Sequence, residues 1–316
     1  MTADARVVLI TGASSGIGQA VALRAAEEGD HVVLVAREAS SLQTVAQECD
    51  DAGAASTLVV PTDVGDDAAV ERLFRRAVDV HGRVDAVAHC AGVVAYGRTE
   101  EVPSEVFEGV LRTNLIGSVN VARHTIRLLR EQEGGALVLI GSVIGHIGVP
   151  SMSPYVLSKW GVRALARQLQ LENRDIPDLH VAYIAPGGVD TPIYEQAGNY
   201  AGFIGRPPPP VASPEKVARV VLRRLEHHRD RTQVNLSNNV IRFGFTAMPW
   251  AYDLLVGPLF RLAASDRTRP VGPGPGNVLA PQVEGNRLHG NQGNPVIGIG
   301  RNAVALARSI GGRRAS

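Results

Sequence analysis

Short apolar runs alternate with longer helical patterns along most of the chain. The runs are continuous, as in RVVLI at residues 6–10 and HVVLV at residues 31–35, with no polar residue between apolar ones. Continuous apolar strands are typical of a parallel sheet that helices cover on both faces. Further short runs that read as strands lie at residues 57–60, 84–90, 136–140, 180–184 and 232–236.

Helical patterns fill the segments between these runs, with a long helix expected at about residues 115–132 and another after Tyr155. Strand–helix alternation at this spacing predicts right-handed βαβ units. We therefore expect an α/β fold with a doubly wound, mostly parallel sheet and helices on both of its faces.

The pattern changes after about residue 241, so we predict a dinucleotide-binding catalytic domain over residues 1–241 and a C-terminal extension over residues 242–316. Residues 243–264 are apolar and aromatic, whereas residues 265–300 are rich in Gly, Pro and Asn, and a basic tail follows. The Gly-rich part predicts an extended arm that is ordered only where it packs against another part of the protein or a partner.

Three interpretations of residues 243–264 stay open: packing against the enzyme or a second subunit, which we favour, an amphipathic anchor on a membrane surface, or a spanning helix. Asp253 and two prolines, Pro249 and Pro258, argue against the spanning helix.

Composition and charge argue against several classes of partner and site. The chain has 316 residues, 45% of them hydrophobic, and a formal net charge of +1, so a sizeable core is expected and bulk charge gives no reason to expect a nucleic-acid partner. Its two cysteines, Cys49 and Cys90, lack metal-ligand spacing, so we predict no metal site. The N-terminus lacks the basic and apolar stretches of a signal peptide, and a cytoplasmic location is expected.

A glycine-rich loop, TGASSGIGQA, follows the first predicted strand and opens the first predicted helix. Gly12 would allow the tight turn, while Gly16 and Gly18 would let the backbone approach a pyrophosphate at the helix N-terminus. The position of this loop predicts a dinucleotide-binding site.

The second predicted strand ends in LVAREAS, where NAD-selective sites usually carry a carboxylate for the ribose 2′-hydroxyl. Here Arg37 stands in that region, and a guanidinium suits a 2′-phosphate. We therefore predict NADP(H) as the preferred cofactor, with NAD(H) as the alternative.

Tyr155 and Lys159, in SPYVLSKWG, stand four residues apart and would share one face of a helix. Together with the glycine loop they make the chain resemble a short-chain dehydrogenase/reductase, with the NAD(P)-binding Rossmann-like fold of that family, over roughly residues 5–235. Five further motifs agree with those of the family in order and spacing. They are TDV at residues 62–64, HCAGV at 89–93, RTNLIGS at 112–118, GSVIG at 141–145 and APGGVDTP at 185–192. His89 and Cys90 stand where the family usually has two asparagines.

The resemblance implies roles for these residues. Tyr155 would act as general acid or base, with Lys159 favouring its ionised form and holding the nicotinamide ribose. Ser142 would bond the substrate oxygen, and Asn114 would sit mid-helix and anchor a water leading to Lys159. The implied cofactor-binding set is Gly12, Ser14, Ser15, Gly16, Ile17, Gly18, Arg37, Asp63, Val64, Ala91, Gly92, Asn114, Tyr155, Lys159, Pro186, Gly187, Val189 and Thr191.

The substrate is expected to be a small, apolar carbonyl or secondary alcohol, because the predicted pocket wall is apolar. That wall comprises Val93, Tyr96, Ile144, Ile147, Val149, Met152, Tyr194 and Phe203. Two alternatives to an NADP-dependent oxidoreductase of this kind stay open: a reductase of 3-oxoacyl thioesters and a non-catalytic, cofactor-sensing protein on the same fold. The resemblance also implies a homo-oligomer.

Overall fold

The computed structural model describes residues 5–227, 229–235, 237–293 and 297–303. Its central element is a sheet of seven strands in the order β10-β7-β6-β4-β1-β2-β3, and every neighbouring pair is parallel. This confirms the predicted doubly wound sheet. The seven strands are β1 (Val7–Thr11), β2 (His31–Val35), β3 (Ser56–Val59), β4 (Ala86–His89), β6 (Gly135–Ile140), β7 (Leu179–Ala185) and β10 (Arg231–Gln233).

Two apolar layers cover the sheet, and alternate residues of one strand belong to different layers. Val8 and Ile10 of β1 pack in one core cluster, whereas Val7 and Leu9 pack in the other. Burial on both faces explains why the central strands are mostly apolar along their length rather than at alternate positions only. The helices are α1 (Gly16–Glu27), α2 (Ala39–Ala52), α3 (Asp67–His81), α4 (Ser104–Leu111), α5 (Gly117–Glu131), α6 (Ser153–Glu172), α7 (Pro214–Glu226), α8 (Ser237–Ala247) and α9 (Pro249–Ala263).

The strand order reverses between β1 and β4: β1 continues to β2 and β3 on one side, and β4 to β6 on the other. Ligands of open parallel sheets bind beyond the carboxyl ends of the strands at such a switch point. The glycine loop leaves β1 there, so the fold itself places the candidate site.

The helix predicted near residues 115–132 begins earlier than expected, because α4 starts at Ser104. A π-helical turn, Arg112–Ile116, joins α4 to α5, and the Gly117 N–H donates to the carbonyl of Arg112, five residues back. π-Turns inside α-helices are frequent at functional sites. This one contains Asn114.

The C-terminal extension contains α8 and α9, then β11 (Ser265–Pro270), which pairs antiparallel with β9 (Phe203–Gly205). A further small sheet joins β5 (Ala95–Tyr96) to β8 (Gly198–Asn199). Pro258 lies inside α9, so it did not prevent a helix there. Residues 304–316 of the predicted basic tail lie outside the described residues, as does residue 236 of the last predicted strand.

Some side chains of α8 and α9 contact the rest of the protein, and others are exposed to solvent. Phe245 packs against Trp160, and the Tyr252 hydroxyl donates to the carbonyl of Gly148 at 2.6 Å. Trp250 and Leu254 are 72% and 70% exposed. Among the described residues, no helix is both long and apolar enough to cross a membrane.

Candidate active site

The glycine loop is held in a shape that larger residues would break. Gly12 has a φ of +68°, and a Cβ added there would lie 2.8 Å from the Cα of Ala91. A Cβ on Gly18 would collide with the carbonyl oxygen of Gly12. The glycines therefore let β1, the start of α1 and the end of β4 come together.

Next to this loop an open cleft runs along the carboxyl ends of the strands. Most of the predicted cofactor-binding residues line it: Gly12, Ser14, Ser15, Gly16, Ile17, Gly18, Arg37, Asp63, Val64, Ala91, Gly92 and Thr191. The shape of the glycine loop and the residues along the cleft fit a dinucleotide.

Three predicted residues after β7 do not line the cleft. The carbonyl of Pro186 accepts from the N–H of Val143 at 2.8 Å, and a Cβ on Gly187 would lie 2.7 Å from Oδ1 of Asn238. Val189 is buried in the core and forms a bridge with Ala212. These contacts hold the loop that carries Thr191, which does reach the cleft.

Tyr155 and Lys159 lie one turn apart on α6, with the Lys159 Nζ 5.6 Å from the centre of the Tyr155 ring. The ammonium donates to the carbonyl of Ile140 at 3.0 Å. Burial lowers the pKa of Lys159 to about 8 and raises the pKa of Tyr155 to about 12. The phenol is therefore protonated at neutral pH, in the form that can donate a proton.

Ser142 adjoins the Tyr155 hydroxyl at the end of β6. A hydrogen bond between the two side chains lowers the pKa of Tyr155, against the larger effect of burial. The backbone of Ser142 is fixed by the Tyr183 hydroxyl, which accepts from its N–H at 3.4 Å and donates to its carbonyl at 3.3 Å. Tyr183 thus sets the position of Ser142, and the sequence pattern did not identify it.

Asn114 is 1% exposed and holds the backbone beside the cleft. Its Oδ1 accepts from the N–H of Val93 at 2.8 Å, and its Nδ2 donates to the Val93 carbonyl at 2.9 Å and to Ser158 Oγ at 3.0 Å. Ser158 in turn donates to the carbonyl of Tyr155 at 2.8 Å. One amide hydrogen of Asn114 therefore connects the π-turn with α6, and the other connects it with the segment after β4.

His89 occupies one of the two positions where this chain departs from the family pattern. Its Nδ1 lies 2.8 Å from Thr11 Oγ1 and its Nε2 lies 3.0 Å from Ser118 Oγ. The Ser118 hydroxyl donates to the carbonyl of Asn114 at 2.5 Å, so it accepts from His89, and the ring hydrogen is on Nε2. Burial lowers the pKa of His89 to about 3, which keeps the ring neutral.

An apolar cluster adjoins Tyr155. Of the predicted pocket wall, Tyr96, Met152 and Phe203 are buried there, and Ile144, Val149 and Tyr194 pack against them. Val93 belongs to a neighbouring cluster, and Ile147 is buried without being part of either. Phe260 of α9 packs on Phe203, with ring centres 6.1 Å apart. Its place in the cluster could not be inferred from the sequence, because nothing there links α9 to these residues.

The family model described as short chain dehydrogenase matches residues 6–200. The chain belongs to this family. It is an oxidoreductase of the short-chain dehydrogenase/reductase family, whose members act on carbonyl and CH–OH groups and bind a nicotinamide dinucleotide. The resemblance found in the sequence is thereby confirmed.

Curated members of the short-chain dehydrogenase/reductase family resemble this one over most of its length. A 3beta-hydroxysteroid dehydrogenase of Mediterraneibacter gnavus is 34% identical over 195 residues, covering 61% of this chain and 70% of that protein. A 3-ketodihydrosphingosine reductase of Bos taurus is 28% identical over 245 residues, covering 75% and 72%. An alcohol dehydrogenase structure from Thermococcus sibiricus, complexed with 5-hydroxy-NADP, is 28% identical with a TM-score of 0.63 and covers 73% of this chain and 95% of its own.

Proposed function

We propose that this family member is an NADP(H)-dependent oxidoreductase that interconverts a carbonyl and a secondary alcohol on an apolar substrate, with Tyr155 as general acid and base. The observation that carries the proposal is that the dinucleotide cleft and the Tyr155–Lys159 pair are adjacent. Gly92 lines the dinucleotide cleft, and a Cβ placed on it would lie 3.7 Å from Lys159 Nζ. The Tyr–Lys pair therefore stands beside the place where a nicotinamide would bind.

The bound nicotinamide would supply or accept the hydride. In the reducing direction Tyr155 gives its phenolic proton to the forming alkoxide, and in the oxidising direction it takes that proton back. Ser142 holds the reacting oxygen against Tyr155. Lys159, positively charged below about pH 8, stabilises the phenolate left behind.

Arg37 supports the preference for NADP(H). Its guanidinium lies at the end of β2 in the cleft wall, with the carboxylate of Asp63 nearby. A 2′-phosphate would give this cation a charge-assisted partner that the 2′-hydroxyl of NAD(H) cannot supply.

The apolar cluster beside Tyr155 supports a lipid-like or steroid-like substrate. Relatives bear names that refer to hydroxysteroids and to 3-ketodihydrosphingosine, both with large apolar parts. Others are a sepiapterin reductase and a pterin aldehyde reductase, whose substrates are polar heterocycles. The apolar cluster of this chain suits the apolar substrates of the first group better than the polar substrates of the second.

Initial rates of NADPH and NADH consumption test the proposal on a panel with a 3-ketosteroid, a long-chain 3-keto amino alcohol, a pterin aldehyde and a 3-oxoacyl thioester. We expect turnover of an apolar ketone with NADPH. Turnover confined to the thioester would favour the alternative reductase, and binding of NADPH without turnover of any compound would favour the sensor. A cytoplasmic location, a homo-oligomer and the domain boundary at residue 241 stay predictions.

A further inference from the structure

Residues 271–293 of the extension, here called the C-terminal arm, cross the mouth of the dinucleotide cleft. Gly274 and Asn199 exchange backbone hydrogen bonds of 2.9 and 2.8 Å. Val278 is 3% exposed and packs in one cluster with Val93 and Val106. At its far end the carbonyl of Arg287 accepts from the N–H of Gly16 at 3.0 Å. The arm is therefore fastened to the catalytic domain at several points along its length.

The docked arm is a wall of the cleft and leaves it open inside. Asn277, Pro281, Gln282 and Asn286 line the cleft together with the glycine loop and the end of β4. Asn286 is held by Ser41, whose Oγ accepts from its Nδ2 at 2.9 Å, and by Gln196, which donates to its Oδ1 at 3.0 Å. Polar side chains fixed in this way face the space a dinucleotide would fill.

The arm also fixes Arg37. Nη2 of Arg37 donates to the carbonyl of Asn277 at 2.6 Å, and Nη1 donates to the carbonyl of Val278 at 3.2 Å. A guanidinium has five N–H donors, so these two bonds orient its plane and leave three donors for another acceptor. Fixing an arginine before it binds reduces the conformational entropy lost when a phosphate arrives.

We infer that residues 277–286 form the outer wall of the dinucleotide site and, by orienting Arg37, make the arm a determinant of selectivity for a 2′-phosphorylated cofactor. Arg37 then discriminates only while the arm is docked. The inference rests on the proposed function, because it takes the cleft to be the site of NADP(H).

Gly276 offers a way to undock this part of the arm in the full-length chain. It has a φ of +55°, and a Cβ there would collide with the backbone of Gln196 and Ala197, so Gly276→Ala should displace residues 277 and 278. Gly272→Ala is the matched control, since a Cβ at Gly272 meets nothing within 4 Å. Dissociation constants for NADPH and NADH are measured by fluorescence titration for both variants, for Arg37→Gln and for Arg37→Gln/Gly276→Ala.

We expect Gly276→Ala to raise the Kd for NADPH by about tenfold or more, the value of a charge-assisted bond, and the Kd for NADH much less. Gly272→Ala should bind as wild type does. In the Arg37→Gln background, Gly276→Ala should change the ratio of the two constants little, because the residue it orients is gone. An unchanged NADPH-to-NADH ratio in Gly276→Ala would overturn the inference, and so would tighter NADPH binding, which would make the arm a competitor.

Hydrogen exchange on the wild-type chain keeps the inference testable if Gly276→Ala does not fold. Saturating NADPH should slow exchange in peptides that cover residues 274–290, whereas faster exchange or no change there would contradict a wall that contacts the cofactor. A wild-type chain that binds neither dinucleotide would refute the proposed function itself, which a titration shows before any variant is made.

Discussion

The glycine loop and the C-terminal arm meet at the same cleft, but they are encoded in different ways. The loop is one run of ten residues whose glycines, strand and helix are adjacent in sequence. The arm reaches Arg37 through Asn277 and Val278, which are 240 and 241 positions away from it. A local motif allows its ligand to be predicted from the sequence. A wall formed by residues far apart in the chain can be identified only in the folded structure.

The largest expected effect belongs to the catalytic domain. Tyr155→Phe removes the proposed proton donor and little volume, so kcat should fall by about 10²–10⁴-fold, the usual contribution of general acid catalysis. Dissociation constants for NADPH and the unfolding midpoint should stay near wild type. Tyr200→Phe, on the loop after β8, is the control and should keep its activity. A Tyr155→Phe enzyme with most of its kcat would exclude Tyr155 as donor.

A smaller effect is expected in the extension, where two aromatic residues on α9 differ in their surroundings. Phe260→Ala removes the ring that packs on Phe203, so it should lower the free energy of unfolding by about 1–3 kcal/mol and raise KM for an apolar ketone. Trp250→Ala, at a position that is 72% exposed, should stay within about 0.5 kcal/mol of wild type. Urea denaturation and steady-state kinetics measure both. Equal effects would mean that α9 does not contribute to the apolar cluster through Phe260.

The pH dependence is the smallest of the three effects. Lys159 has a pKa of about 8, so it is charged below that pH and loses its charge as the pH rises through it. The kcat/KM for ketone reduction should be level near pH 7 and about tenfold lower at pH 9, because one unit above its pKa only about one tenth of a lysine is charged. His89 and His146, each with a pKa of about 3, cannot cause this fall. A profile level to pH 10 would show that the charge of Lys159 is dispensable.

The sequence predicted the sheet because its strands are buried on both faces and therefore read as continuous apolar runs. Most of the residues that it predicted to bind the cofactor do line the cleft, since the glycine loop, Asp63 and Gly92 each follow a strand at its carboxyl end. It did not predict the π-turn around Asn114, which depends on how α4 and α5 pack. Nor did it identify Ser158, although this serine directly precedes Lys159 in the motif.

The extension was harder to predict for a physical reason. Pro258 counts against a helix by local preference, yet α9 forms, because Phe260 and Tyr252 pack on the enzyme and compensate for a lost backbone bond. Gly-rich and Pro-rich composition correctly indicated an extended arm but carried no information on its partners.

The neutral imidazole of His89 joins β1, which leads into the glycine loop, to α5, which follows the π-turn that contains Asn114. Histidines on a protein's surface gain a proton between neutral and mildly acid conditions, and many interfaces loosen as they do. This one stays uncharged down to about pH 3. We therefore expect the hydrogen bonds through which His89 joins β1 to α5 to persist in mildly acid conditions.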